Sequence, residues 1–236
     1  MHTIISSKKF LILAGGFGTR IADTIGGLPK VLAPVHDKPF LFYQMNNWVS
    51  QGIQDFTFLL HYKAELIIEF LEEYKQHSGT HISYNFILEE RPLGTGGAIL
   101  NAAVSCNIDS FVIINADTWI ESGFKESFEA LTSSILVTNV KNASRFGRVN
   151  LDSDNLVLSF DEKDGLETPG LINAGLFSLT RQILESVQQT EFSLELEVLE
   201  PLAKSQNLQG IISNTNFFDI GVPDDLNLFI EYILKT

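Results

Sequence analysis

A glycine-rich segment near the amino terminus carries residues suited to binding a polyphosphate. It reads Gly-Gly-Phe-Gly-Thr-Arg over residues 15–20, and Lys30 follows ten residues after Arg20. Glycine has no Cβ, so the backbone N–H groups of such a segment can approach phosphate oxygens closely. Arg20 and Lys30 add positive charge that backbone dipoles alone cannot supply. The segment therefore predicts a triphosphate site.

Two well-known phosphate-binding motifs do not fit this segment. The dinucleotide fingerprint requires a third glycine three residues after Gly18, where the chain has Ile21. The P-loop closes with Gly-Lys-Ser or Gly-Lys-Thr, and no such triplet follows. The alternative is that the glycines only form a tight turn. The Gly-Thr-Arg ending and the downstream Pro-Lys pair favour the phosphate site.

Two acidic residues lie directly after apolar segments in distant parts of the chain. Asp117 comes shortly after the apolar run at 111–114, and Asp219 follows Phe217 and Phe218. Ligands of open α/β sheets bind at the carboxyl ends of the strands. Mg²⁺ bound to a nucleotide takes one or two carboxylates and keeps several waters. The two acids therefore predict a magnesium site, the alternative being that they cap helices or form turns.

A second glycine-rich segment, Pro-Leu-Gly-Thr-Gly-Gly, spans residues 92–97 and enters a predicted helix. Closely spaced glycines at a helix start let a planar ring or a phosphate lie against the backbone. The alternative is a loop with Thr95 as the N-cap of the helix. Farther along the chain, Lys163 and Asn173 would in isolation be a solvated charge and a turn residue.

These residues need a scaffold, and the first half of the chain alternates apolar runs with helical patterns, as α/β proteins do. Strands are predicted at residues 10–14, 55–60, 81–88, 111–115 and 134–140. Helices are predicted at residues 39–50, 64–76, 96–103 and 121–131. The sequence therefore predicts an α/β fold with a single doubly wound, mostly parallel, Rossmann-like sheet.

The second half predicts a smaller antiparallel part. A turn-like Asp-Ser-Asp-Asn segment separates two strand-like runs, which is typical of a hairpin. The hairpin spans residues 148–151 and 156–160, and the further predicted elements are a strand at 171–179, helices at 181–188 and 194–204, and a last strand pair at 208–213 and 217–219. Pro223 and the two acids after it indicate the start of a final helix.

The composition excludes several classes of protein. Sixteen Lys and Arg residues against 29 Asp and Glu give a formal net charge of −13, so a nucleic acid or an anionic membrane would be repelled over most of the surface. No apolar run near the amino terminus is long enough for a signal peptide or a membrane span. The single cysteine, Cys106, cannot form an internal disulfide. We expect one cytoplasmic domain that holds its anionic ligand with a few placed cations.

The same segments occur together, in this order and at this spacing, in the sugar-1-phosphate nucleotidyltransferases, which the chain resembles over nearly its whole length. The resemblance also rests on Phe-Gly-Arg-Val at 146–149, Glu-Lys at 162–163, Asn-Ala-Gly at 173–175 and Asp-Ile-Gly at 219–221. Within the family the chain is most similar to the short guanylyltransferases. Ile21 and Ala116 depart from the residues that the family usually has.

This resemblance implies an enzyme that joins a nucleoside triphosphate, GTP in the guanylyltransferases, to a heptose or mannose-like sugar 1-phosphate and releases pyrophosphate. It implies Mg²⁺ as cofactor, a nucleotide-binding half at about residues 1–140 and a sugar-binding half at about 141–236. The catalytic residues would be Arg20, Lys30 and Asp117, with Asp117 and Asp219 as metal ligands. The nucleotide-binding residues would be Leu13, Ala14, Gly15, Gly16, Gly18, Thr19, Arg20, Glu89, Gly94 and Thr95. The sugar phosphate would contact Gly147, Glu162, Lys163 and Asn173.

The identity of the base depends on Glu89, which the resemblance places at the edge of the nucleobase. A carboxylate there can accept hydrogen bonds from N1–H and from the 2-amino group of guanine. This predicts GTP, and UTP, CTP or dTTP with another sugar 1-phosphate are the alternatives. A regulatory protein that only binds a nucleotide sugar is a further alternative, against which the presence of Arg20, Lys30 and Asp117 argues. A glycosyltransferase of related fold would carry Asp-x-Asp where this chain reads Asn-Ala-Asp.

Overall fold

The computed structural model describes residues 8–163 and 165–235. The strands in these ranges are β1 (Lys9–Leu13), β2 (Pro34–Val35), β3 (Lys38–Pro39), β4 (Asp55–Leu60), β5 (Ser83–Leu88), β6 (Ser110–Asn115), β7 (Thr118–Ile120), β8 (Ser134–Val140), β9 (Val149–Leu151), β10 (Val157–Phe160), β11 (Gly170–Thr180), β12 (Gln209–Ile212) and β13 (Phe217–Asp219). The helices are α1 (Phe40–Ser50), α2 (Ala64–His77), α3 (Gly94–Ser105), α4 (Phe124–Glu129), α5 (Arg181–Glu185), α6 (Glu200–Lys204) and α7 (Pro223–Ile233). A 3₁₀ turn at Lys30–Leu32 and a π-helical turn at Glu195–Leu199, which leads into α6, complete the regular structure.

Seven strands form one sheet in the order β12-β8-β11-β6-β1-β4-β5. Strands β6, β1, β4 and β5 are parallel to one another, and β1, β4 and β6 are apolar and largely buried, as expected for strands covered on both faces. The chain runs from β1 outward to β4 and β5, then returns to place β6 on the other side of β1. The carboxyl ends of β1 and β6 therefore flank the point where the strand order reverses, which is where open α/β sheets bind ligands.

Strand β11 is antiparallel to both of its neighbours, β6 and β8. Its register against β8 shifts between Asn173 and Phe177, and Gly175 inside this irregularity has a φ of +74°. The expected single, mostly parallel α/β sheet is confirmed, with β11 as the antiparallel exception. The predicted hairpin is also confirmed, because β9 and β10 pair antiparallel.

Helices cover both faces of the sheet, which makes it doubly wound. One apolar core joins α1, α2 and α4 to one face, and it includes Phe10 and Ile12 of β1. A second core joins α3, α5 and α6 to the other face, and it includes Leu11 of the same strand. Successive side chains of a strand point to opposite faces, so β1 contributes to both cores. A third, smaller core surrounds Phe229 of α7.

Two details of the predicted elements are wrong. The strands predicted at 208–213 and 217–219 do not pair with each other, since β12 extends the main sheet beside β8 while β13 pairs with β7. The helix predicted at 121–131 is shorter, because β7 precedes it and Gly123, with a φ of +99°, stands directly before α4. In both cases the three-residue strand β7 is the missing element, and such a short strand gives no periodic signal in the sequence.

Across the described ranges, no helix has the length and apolar character needed to cross a membrane.

Candidate active site

The predicted phosphate and metal residues meet beyond the carboxyl ends of β1 and β6. Leu13, the last residue of β1, pairs in register with Asn115, the last residue of β6. The glycine-rich segment follows the first strand and Asp117 follows the second. The sheet therefore brings together two segments that lie about a hundred residues apart in the sequence.

Lys30 is the centre of this site. Its Nζ donates to Oδ2 of Asp117 at 2.7 Å and to Oδ1 of Asp219 at 3.2 Å. Its side chain is only 11% exposed, so the charge is held against the two carboxylates and is poorly screened by water. Of the four residues that the sequence assigned to catalysis and metal binding, Asp117 and Asp219 thus both contact Lys30 directly.

The pairing of β7 with β13 explains how the two acids meet. Asp219 stands opposite Thr118 in this two-stranded sheet, next to Asp117. The N–H of Ile220 donates to the backbone carbonyl of Asp117 at 3.1 Å, and the N–H of Gly221 donates to Oδ1 of Asp219 at 2.9 Å. The backbone therefore fixes the position of the Asp117 main chain and orients the carboxylate of Asp219.

A buried amide that sequence reasoning missed also supports Asp117. Gln44 of α1 is fully buried, and its Nε2 donates to the backbone carbonyls of Ala116 at 3.2 Å and Thr118 at 2.7 Å. These carbonyls flank Asp117 on both sides. The side chain of Gln44 therefore holds the strand end in the conformation that presents the acid.

Arg20 lies beside the same cluster. A Cβ placed on Gly221 would lie 3.1 Å from Nη2 of Arg20 and 3.2 Å from Nζ of Lys30. Both cations thus approach the backbone at Gly221, where a side chain would displace them. Gly16, Thr19 and Arg20 are exposed, so the first glycine-rich segment is open to a ligand.

A cavity of about 300 Å³ lies next to this cluster. Most of the predicted nucleotide-binding residues line it, together with Asp117: Leu13, Gly15, Gly16, Glu89, Gly94 and Thr95. Ala14 lies between Leu13 and Gly15, and its N–H donates to the carbonyl of Leu59 at 3.1 Å. The cavity also contacts Phe17, His61, Pro92, Ala98 and Asn115, which sequence reasoning did not select. His61 directly follows β4, so its position at a strand end was the signal that could have found it.

Glu89 lies at one wall of the cavity. Its Oε2 accepts a hydrogen bond from the N–H of Leu93 at 3.0 Å. Burial raises the pKa of the Glu89 carboxyl, and the hydrogen bond from Leu93 and the nearby His61 offset this effect only in part. The carboxyl is thus partly desolvated, which strengthens its preference for a hydrogen-bonding partner.

The second glycine-rich segment packs tightly against the loop before the π-helical turn. Gly94 begins α3 with a φ of +72°, and a Cβ there would lie 2.4 Å from the carbonyl oxygen of Phe192. The Thr95 hydroxyl accepts from the N–H of Leu194 at 2.8 Å and donates to Oε2 of Glu195 at 3.2 Å. Because Thr95 lies inside α3 and its hydroxyl binds this loop, it does not cap the helix.

The four predicted sugar-phosphate residues lie farther along the site. Asn173 lies in β11 directly before the register irregularity that contains Gly175, where a Cβ would lie 3.1 Å from Nδ2 of Asn115 at the end of β6. Gly147 approaches the backbone of the hairpin, since a Cβ there would lie 2.7 Å from the carbonyl oxygen of Asp161. Glu162 and Lys163 are exposed. None of these four residues lines the 300 Å³ cavity.

Comparison with known proteins identifies the family of this chain. A family model described as nucleotidyl transferase matches residues 9–235. The chain belongs to the nucleotidyl transferase family. This nucleotidyltransferase is 35% identical over 222 residues to the D-glycero-alpha-D-manno-heptose 1-phosphate guanylyltransferase of Campylobacter jejuni, a match that covers 93% of this chain and 97% of the relative. It is 36% identical over 221 residues to the enzyme of the same name from Aneurinibacillus thermoaerophilus, covering 91% and 94%.

Solved structures show the same relationship. HddC from Yersinia pseudotuberculosis complexed with GMP-PN matches this nucleotidyltransferase with a TM-score of 0.81 and 32% identity, over 96% of this chain and 100% of the other. A UTP-bound UGPase from Acinetobacter baumannii shares the fold at 18% identity, with a TM-score of 0.75 over 96% of this chain and 93% of the other. The protein is therefore an enzyme of nucleotide-sugar synthesis, and members of its family generally use a divalent metal ion.

Proposed function

We propose that this nucleotidyltransferase transfers a guanylyl group from GTP to a heptose or mannose-like sugar 1-phosphate, with Mg²⁺ as cofactor. The names of the two relatives specify guanylyl transfer to a heptose 1-phosphate. The observation that carries the proposal is the position of the Glu89 carboxyl. It lies in the wall of the cavity beside Gly15 of the first glycine-rich segment. A carboxylate can accept from the N1–H and 2-amino groups of guanine, a donor pair that adenine, uracil and thymine lack.

The proposed reaction needs no covalent enzyme intermediate. An ionised oxygen of the sugar phosphate attacks the α-phosphorus of GTP, and the bond from this phosphorus to the oxygen of the β-phosphate breaks. The products are a guanosine diphosphate sugar and pyrophosphate. The task of the protein is to bring two anions together in line and to stabilise the charge on the transferring group.

Lys30 and Arg20 meet the electrostatic requirement of this reaction. The whole chain carries a formal net charge of −13, so the approach of two phosphate groups depends on cations at the site. Lys30 is held beside Asp117 and Asp219, and Arg20 approaches the same point at Gly221. We assign Lys30 to the reacting phosphates and Arg20 to the β- and γ-phosphates. The backbone N–H groups of the first glycine-rich segment hold the remaining phosphate oxygens.

Asp117 and Asp219 suit a magnesium ion. Both carboxylates contact the same Nζ, so one cation already lies within reach of both. Among the residues that the structure describes there is no group of three acidic, histidine or cysteine side chains placed to hold a metal. Two carboxylates suffice for Mg²⁺, which takes its remaining ligands from phosphate and water. When bound, the ion would neutralise charge on the α-phosphate.

We assign the sugar phosphate to the part of the site that faces the β9–β10 hairpin. Lys163 would bind its phosphate, and Glu162, Asn173 and Gly147 would contact the sugar. Gly175 of β11 lies against Asn115 at the edge of the nucleotide cavity, which supports this placement of Asn173. Lys163 is exposed and therefore accessible to an incoming phosphate. Replacing Lys163 by Ala should therefore raise KM for the sugar phosphate more than KM for the triphosphate.

A pyrophosphate-release assay tests the proposal. The purified enzyme is supplied with Mg²⁺ and each of GTP, ATP, UTP, CTP and dTTP, crossed with heptose, mannose, glucose and N-acetylmuramate 1-phosphates. The proposal requires the highest kcat/KM for GTP, with heptose or mannose 1-phosphate as acceptor. Faster release with UTP, CTP or dTTP would remove the guanylyl assignment and leave the nucleotidyl transfer intact.

A further inference from the structure

His61 contributes an imidazole ring to the lining of the cavity. It follows β4 and lines the cavity beside the first glycine-rich segment. A Cβ placed on Gly15 would lie 3.2 Å from the backbone nitrogen of His61 and 3.5 Å from Oε1 of Glu89. The His61 ring also meets the ring of Phe17 edge to face, with centroids 5.4 Å apart. His61 and Glu89 thus approach the same glycine, and the ring of His61 is held by its neighbour.

The hydrogen bonding of His61 fixes which ring nitrogen carries the proton. Nδ1 lies 2.8 Å from the backbone carbonyl oxygen of Glu89. A carbonyl oxygen can only accept, so Nδ1 must be the donor. In the neutral imidazole, Nε2 then carries a lone pair and is an acceptor. No hydrogen bond from the described residues reaches this Nε2.

Glu89 is also partly occupied by the protein itself. Its Oε2 accepts from the N–H of Leu93, while Oε1 is the oxygen nearest to Gly15. Guanine presents three N–H donors on one edge, namely N1–H and the two hydrogens of the 2-amino group. Two residues of the cavity lining each offer an acceptor to this edge, Oε1 of Glu89 and Nε2 of His61.

We infer that Nε2 of His61 accepts a hydrogen bond from the 2-amino group of guanine and makes the site selective for guanine over hypoxanthine. This inference rests on the proposed use of GTP. Glu89 would then accept from N1–H, which guanine and hypoxanthine share. His61 reads the group in which the two bases differ.

Inosine triphosphate is the substrate that isolates this contact, because it is GTP without the 2-amino group. Wild-type enzyme should bind GTP more tightly than inosine triphosphate in calorimetry without sugar phosphate, and should show the same preference in kcat/KM. A single neutral hydrogen bond predicts a preference of about tenfold. Equal use of the two triphosphates by an enzyme that still prefers GTP over UTP would overturn the role of His61 and leave the proposed function standing.

Two variants separate the role of Nδ1, which binds the Glu89 carbonyl, from the role of Nε2, which would bind the base. The amide nitrogen of Asn can occupy the position that Nδ1 has in His. His61→Asn therefore keeps a donor for the Glu89 carbonyl and removes the Nε2 acceptor. The amide oxygen of Gln can occupy the position that Nε2 has in His. His61→Gln therefore keeps an acceptor there and loses the hydrogen bond to the Glu89 carbonyl. The preference for GTP over inosine triphosphate should fall to about one in His61→Asn and persist in His61→Gln.

His77→Asn is the matched control. Nδ1 of His77 also contacts a backbone carbonyl, that of Glu73 at 2.7 Å, on the exposed end of α2. This variant should keep the wild-type preference. An unchanged preference in a folded His61→Asn enzyme, or a loss of equal size in His77→Asn, would overturn the inference. If the donor matrix shows that GTP is not the preferred triphosphate, the proposed function fails and the inference fails with it.

Discussion

Lys30 contacts two carboxylates at the point where the proposed reaction brings two phosphate groups together. The ammonium is mostly buried and donates to both Asp117 and Asp219. Removing one member of a buried ion pair leaves the opposite charge without a partner. The resulting loss of folding free energy is larger than the net stability that the intact pair contributes. The arrangement therefore suits binding and charge stabilisation better than it suits structural stability.

Replacing Lys30 by Ala should lower kcat by about 10²–10³-fold, the usual effect of removing one electrostatic stabiliser of a transition state. Turnover is measured by pyrophosphate release at saturating concentrations of both substrates. Lys125→Ala is the control, because this lysine is exposed and its Nζ lies 4.0 Å from Glu129 on the surface of α4. Near wild-type turnover in folded Lys30→Ala would remove Lys30 from the mechanism.

Asp117 and Asp219 should act as one metal site. Chelation with EDTA should abolish activity, excess Mg²⁺ should restore it, and Asp117→Asn should require a much higher Mg²⁺ concentration because one anionic ligand is lost. Titration of activity with Mg²⁺ measures this change. Asp154→Asn, at an exposed hairpin turn, should leave the titration unchanged. Full activity in excess EDTA would contradict the assignment.

Glu89 should affect both the preference for GTP and the pH dependence of the protein's thermal stability. Burial raises the pKa of its carboxyl in the folded protein, so the folded protein holds this proton more tightly than the unfolded chain does. The stability that results is lost as pH rises through the pKa of the folded protein. Glu89→Gln cannot ionise and avoids this loss. Its Tm should exceed that of the wild type near pH 8, with a difference that vanishes toward pH 4, while its preference for GTP falls. Thermal melts without ligand across this range measure the difference, and a gain that grows toward low pH would contradict the sign.

At the scale of secondary-structure elements, the site depends on the start of α3 as much as on the strand ends. The N–H of Phe192 donates to the carbonyl of Leu93, and the N–H of Gly96 donates back to the carbonyl of Phe192. The absence of a side chain at Gly94 allows this contact. Since Leu93 also binds Glu89, the packing of α3 fixes one wall of the base cavity.

Gly94→Ala should therefore lower the free energy of unfolding through two separate effects. The left-handed backbone at a φ of +72° adds about 1–2 kcal/mol for an alanine, and the clash with the carbonyl of Phe192 adds a further 1–3 kcal/mol, roughly the usual cost of overpacking. Gly79→Ala is the matched control, with a φ of +65° and no atom within 4 Å of the added Cβ. Urea denaturation should show the larger loss at Gly94. Equal losses at the two positions would show that packing of α3 does not contribute.

At the scale of the whole molecule, the parallel strands at the core of the seven-stranded sheet could be predicted from the sequence, and the short strands outside this sheet could not. Strands β1, β4 and β6 are mostly apolar, because both faces of a parallel sheet are covered. Strands β7 and β13 have three residues each and pair across almost a hundred residues, so no local pattern marks them. Their pairing is what brings Asp219 to Asp117.

The candidate site was readable where a motif or a strand end marked it. The glycine-rich segment, Lys30, Asp117 and Asp219 were predicted and lie together. Gln44 was missed because a buried amide inside an apolar helix has no motif, and only the tertiary structure places it beside two carbonyls. The roles of Glu162 and Lys163 stay predictions, and the Lys163→Ala kinetics decide between a bound phosphate and a solvated charge.

The most direct test of guanylyl transfer follows the phosphorus atoms themselves. The enzyme, GTP, Mg²⁺ and heptose or mannose 1-phosphate are combined and followed by ³¹P NMR. A guanosine diphosphate sugar and pyrophosphate should appear in equal amounts, with no inorganic phosphate. The Lys30→Ala enzyme should form the same products about 10²–10³-fold more slowly. Consumption of GTP to GDP and inorganic phosphate, or no reaction while another nucleoside triphosphate yields pyrophosphate, would contradict the account.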